Sequence, residues 1–226
     1  MIPLRDYNPT RRPSLLTWGL ILINFGVYFY LAQNPVMGEA AIARYAVVPA
    51  DISAGRHLGT LITSMFLHAS LLHVGGNMLF LWIFGNNVED ALGKVRFLLW
   101  YLAAGLAATA AQTFVTLDFG STRDASIPNI GASGAIAGVL GAYLLLLPRA
   151  TVLTAITLGF FFIIREIPAI WFLGIWIALQ LWQGGVGITH PDQTGGVAVF
   201  AHIGGFAFGL LTVYLVAKRR PLQPTY

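Results

Sequence analysis

Ser133 in NIGASGAIAGVLGAY, His202 in AHIGGFAFG, and His73 with Asn77 in HVGGNMLF are polar residues set inside long apolar runs. Polar and ionisable groups at such positions are costly and mark function by default. A serine hydroxyl beside an imidazole offers nucleophilic catalysis. The neutral ring takes the hydroxyl proton as the oxygen attacks a carbonyl, then returns it to the leaving group. His73 and Asn77 are four residues apart and therefore share a helix face, where the pair could equally serve as polar glue between helices. His68, at the mouth of the same run, reads as a structural hydrogen-bonder, and His57 and His190 fall in outer loops. No Asp or Glu lies at this level, so a catalytic constellation here would be a Ser–His dyad rather than a triad. Its histidine has to be neutral to act, so activity should fall below about pH 6.5 for an imidazole of ordinary basicity. G-A-S-G is not the G-x-S-x-G nucleophile elbow, and neither HExxH nor a Gly-rich phosphate loop occurs. Neither a metal nor an organic cofactor is expected.

The elements that must position these groups are membrane helices. Of 226 residues, 57% are hydrophobic and 10% charged, against about 25% charged in soluble domains. Mean hydropathy is +0.73. A span needs about 20 apolar residues, and the runs predict six helices at about 14–32, 68–88, 95–117, 133–147, 168–184 and 197–217. They form a single membrane domain over 1–226, with cytoplasmic tails at 1–13 and 218–226. The expected fold class is all-α. Segment 151–164 is apolar but short, β-branched and aromatic, and reads as a hairpin or re-entrant piece at the interface. The polar lead MIPLRDYNPTRRPS argues against a cleaved signal peptide.

Charge placement orients the bundle. With the N-terminus inside, Arg5, Arg11, Arg12, Lys94, Arg96, Arg149, Arg165, Lys218, Arg219 and Arg220 are cytoplasmic, whereas the outer loops hold only Arg44, Arg56 and Arg123. This positive-inside bias explains the pI of about 9.6 without nucleic acid, and the terminal KRR reads as a membrane-surface anchor. The absence of cysteine excludes disulfides and thiolate metal sites.

Counting about 1.5 Å per residue from the cytoplasmic helix ends, Ser133 lies roughly 9 Å, His73 roughly 10 Å and His202 roughly 6 Å below the outer boundary, with Asn77 about a turn deeper. The fourth helix is too short to span alone, so the stretch DFGSTRDASIPNIGA before it must dip inward. Irregular backbone at that depth needs protein or a water-filled cavity beside it. An outward-facing wet cavity with Ser133 at its floor follows, and hydrolysis needs that water. Gly134/Gly138 and Gly205/Gly209 are G-x-x-x-G pairs that let the fourth and sixth helices approach closely. From these features alone, a serine-hydrolase site and a polar transport or binding site fit equally well.

FLHASLLHVGGN at 66–77, GNNVEDALG at 85–93, GASGA at 131–135 and AHIGGFAFG at 201–209 together resemble the rhomboid family of intramembrane serine proteases. The resemblance implies a six-helix bundle with a gate at the fifth helix. It implies Ser133 as nucleophile, His202 as general base, and Asn77, His73 and the Ser133 N–H as the oxyanion site. It also implies membrane-anchored protein substrates cut near the outer face, the lipid bilayer as surroundings, and a prokaryotic plasma membrane as location. Two positions depart. Gly59-Thr60 stands where some members carry Trp-Arg. Ala137 stands where some carry a Tyr stacked on the histidine, so another group must orient His202. The rival readings are a rhomboid-like protein that binds transmembrane helices without cutting them, which would usually lack the Ser or the His, and a transporter, for which inverted repeats would be expected and none is found.

Overall fold

A computed structural model describes residues 1–158, 161–189 and 198–218. His190, Arg219, Arg220, the first residue of the expected sixth helix, the tail beyond 218, and residues 159–160 lie outside the described residues. In chain order the elements are strand β1 (Ile2–Asp6), helices α1 (Leu15–Ala32), α2 (Pro35–Tyr45), α3 (Pro49–Ser53), α4 (Thr60–Thr63), α5 (Leu71–Leu92), α6 (Lys94–Phe119) and α7 (Ser133–Leu146), strands β2 (Thr151–Leu158) and β3 (Phe161–Pro168), and helices α8 (Ala169–Thr189) and α9 (Val199–Val216), with short 3-10 turns at Ser64–Phe66 and Asp124–Ser126. The protein is a mostly helical multi-pass membrane protein. Among the described residues 4 helices, α1, α6, α8 and α9, are long and apolar enough to cross a membrane. A fifth candidate is Thr60–Phe66 with α5, bent by 96° at the break that carries His68. The 14-residue α7 is apolar but shorter.

The all-α expectation is corrected. The β-branched run after α7 forms an antiparallel hairpin, and the N-terminal residues, expected as a tail, add a third strand in the order β1-β2-β3. The hairpin left a row of unpaired backbone groups, and β1 satisfies one side of it. Buried Asp6 locks this sheet to the bundle. Its carboxylate accepts hydrogen bonds from Asn87 Nδ2 on α5 at 2.8 Å and from the Tyr143 hydroxyl on α7 at 2.9 Å.

Helix α7 is the axis of the bundle. Its residues from Gly134 to Tyr143 are all buried, and it packs most extensively on α9. The seam is glycine-lined: a Cβ at Gly205 would overlap the Gly134 carbonyl oxygen, and one at Gly209 would overlap that of Gly138. A methyl group on either α9 glycine would therefore push the backbones apart. At the end away from Ser133, the first N–H groups of α1 find no cap in their own side chains. Glu89 of α5 supplies it, accepting from Leu16 N, Thr17 N and Thr17 Oγ1 at 3.1, 2.7 and 2.8 Å. That carboxylate satisfies orphan donors at the positive end of the helix dipole.

Candidate active site

Three elements converge at one end of the bundle. Ser133 is the first residue of α7 and follows Gly131, whose φ of +119° suits glycine. A side chain at Gly131 would also collide with the His73 ring, 2.9 Å from Nε2. The stretch leading to α7 is irregular, and the segment between α2 and α5 satisfies it: Val47 and Asn129 exchange backbone hydrogen bonds, and Gly131 N donates to Ser64 O at 2.9 Å. This is irregular backbone satisfied by other protein.

His202 sits in the first turn of α9. Its Nε2 lies 2.9 Å from Ser133 Oγ. Its Nδ1 lies 2.7 Å from Gln180 Oε1 on α8. An amide oxygen only accepts, so Nδ1 carries the proton, and the neutral ring offers a lone pair at Nε2 to the serine O–H. The Trp176 indole, one turn before Gln180, lies 5.8 Å from the His202 ring, tilted by 40°.

Beside Gly131 stand His73 and Asn77. Asn77 Nδ2 donates to His68 Nε2 at 2.9 Å, and the His68 and His73 rings meet edge-on at 4.9 Å. Gly131 lies against both His73 and Asn77. At the start of α7 no side chain caps the first turn. The Ser133 N–H thus belongs to the unpaired donors of a helix N-terminus. A cavity of about 40 Å³ borders Ser133 and Gly131 and is also lined by Ser64, Gln112 and Asn129. A larger one of about 170 Å³ lies alongside and shares Gln112 and Asn129 with it.

The structure thus brings Ser133 and His202 into contact and sets His73 and Asn77 beside the loop that precedes Ser133. Gly134, Gly138, Gly205 and Gly209 form the seam that brings α7 and α9 this close. His57 lies apart, in the exposed loop between α3 and α4, with φ +52°. Gln180 and Trp176 were missed in the sequence. Their spacing of four on a largely apolar helix is a faint signal, and nothing local reveals that this face meets His202.

The Rhomboid domain family model matches residues 55–219. The chain is similar to Rhomboid protein 1, mitochondrial, of Saccharomyces cerevisiae, with 28% identity over 91% of this chain and 54% of that protein. It is similar to RHOMBOID-like protein 1 of Arabidopsis thaliana, with 32% identity over 84% of this chain and 43% of that protein. It is 44% identical to Rhomboid protease GluP of Bacillus subtilis over 37% of this chain and 15% of that protein. The chain spans about half the length of the first two.

Proposed function

We propose, from the premise that the chain belongs to the rhomboid family, that it is an intramembrane serine endopeptidase acting through Ser133 and His202. The observation that carries this reading is the 2.9 Å contact between Ser133 Oγ and His202 Nε2, bridging two helices. The helices α1, α5, α6, α7, α8 and α9 are read as a six-span bundle with both termini cytoplasmic in a prokaryotic plasma membrane. The cavities beside Ser133 are read as the route by which water arrives from the outer face.

His202 takes the Ser133 proton as Oγ attacks the scissile carbonyl of a membrane-anchored protein. The tetrahedral oxyanion is held by the Ser133 N–H, by the second amide hydrogen of Asn77 and by His73. Each such donor is typically worth about 3–4 kcal/mol in a preorganised site. His202 then protonates the leaving amine, and water, activated by the same ring, hydrolyses the acyl-enzyme. With a neutral amide rather than a carboxylate against its Nδ1, the histidine supports only modest turnover. Substrate enters by displacement of α8. The alternative, a protein that binds transmembrane helices without cutting them, is disfavoured by the presence and contact of both residues.

A fluorophosphonate serine probe tests the reading. Wild-type protein in detergent should be labelled and should cleave a transmembrane substrate, and Ser133→Ala and His202→Ala should do neither while retaining their melting behaviour. Full proteolysis by Ser133→Ala would overturn it.

A further inference from the structure

We propose that Gln180 is the positioning residue of the dyad: its side-chain oxygen fixes the tautomer and orientation of His202, and it does so from α8. The inference rests on the Ser133–His202 reading and concerns how that pair is set and regulated.

A two-membered dyad has a weakness. A neutral imidazole can carry its proton on either nitrogen, and only the form protonated at Nδ1 can accept from Ser133. In a triad a carboxylate selects that form. Here Gln180 Oε1, 2.7 Å from Nδ1, selects it with a neutral acceptor. The ring plane is held from the same helix. Trp176 is one turn earlier and so on the same face of α8. Its indole lies against both His202, at 5.8 Å, and Phe206, at 5.9 Å. Position 137 could not serve, because Ala137 is fully buried in the core and ends at a methyl group. The groups that orient the ring therefore stand on α8 and not on α7.

That transfer has a consequence for control. α7 is buried along nearly its whole length, whereas the buried residues of α8 are only Ala169, Phe172, Leu173 and Gly184. Helix α8 is therefore the member of the site freest to shift outward. When it moves, Gln180 and Trp176 leave His202, and the ring loses its selected tautomer. The bundle is competent for proton transfer only when α8 has returned. The gate that the resemblance implies at this helix would then also take the dyad apart when it opens.

The test compares Gln180→Leu, which removes the acceptor, with Gln180→Glu, which keeps one at the same reach, using the purified full-length chain in detergent and a transmembrane substrate. Gln180→Leu should lower kcat about 10- to 100-fold with KM unchanged, a smaller loss than the roughly 10⁴-fold seen when a triad's histidine is held in the wrong tautomer. Gln180→Glu should stay within a few-fold of wild type. Kinetics of Gln180→Leu within twofold of wild type, or equal impairment of both variants, would overturn the proposal. Histidine ¹⁵N NMR in the Ser133→Ala background gives a readout that folding defects do not imitate. Nδ1 of His202 should be protonated with Gln180 present and mixed with Leu, and an unchanged spectrum would also overturn it. Failure of the wild type to take the fluorophosphonate probe would instead overturn the dyad. Normal labelling with an unaltered Gln180→Leu overturns only the role of Gln180.

Discussion

Asn77 gives one amide hydrogen to His68 Nε2, which leaves the other for a ligand. The partner matters, because a free asparagine side chain rotates and would lose its aim at the moment charge develops on the substrate oxygen. On the proposed reading, His68, buried and hydrogen-bonded there, would support the oxyanion donor rather than take part itself. Asn77→Ala should therefore lower kcat by about 10²–10³-fold and leave KM nearly unchanged, since the donor is needed only in the transition state. Steady-state cleavage of a transmembrane substrate in proteoliposomes measures it, and an unaltered kcat would remove Asn77 from the oxyanion site.

Among the elements, the sheet built from the N-terminus and the hairpin after α7 depends on one buried acid. Burial pushes the Asp6 carboxyl up to about 6, against the hydrogen bond from Tyr143, which acts to lower it. A carboxyl whose folded-state pKa is raised binds its proton more tightly when folded. Its favourable contribution is fully present below about pH 4 and is lost as pH rises through about 6, a span worth roughly 3 kcal/mol. Relative to Asp6→Asn, the wild-type protein should gain apparent thermal stability in detergent as pH falls from 7 to 4. Melting curves of the two proteins that run parallel across that range would show that Asp6 does not carry this dependence. At the opposite end, the glycine seam of α7 and α9 explains why a serine and a histidine 69 residues apart can share a proton. Their backbones meet where side chains are missing.

For the whole molecule, the distribution of Lys and Arg predicts which way the bundle faces. The chain contains no cysteine, so single introduced thiols report without background. In intact cells a membrane-impermeant maleimide should label Arg56→Cys, in the loop on the Ser133 side, and should label Arg149→Cys, at the far end of α7, only after permeabilisation. The reverse pattern would invert the assigned topology and place cleavage at the inner face.

Composition and hydropathy were enough to announce membrane helices, because about 20 consecutive apolar residues have no other stable home. Ser133, His202, His73 and Asn77 were legible because a polar side chain in such a run stands out against its neighbours. The apolar, β-branched stretch after α7 could be read as a hairpin or a re-entrant piece, and it is the hairpin that forms. That the first residues of the chain supply its third strand could not, because strand pairing between positions 2–6 and 152–155 leaves no periodic trace in either segment. Glu89 as the cap of a helix 72 residues away, and Gln180 as the acceptor behind His202, were likewise decided by tertiary structure alone. A residue's type states which hydrogen bonds it can make, and only the packing of helices states with whom.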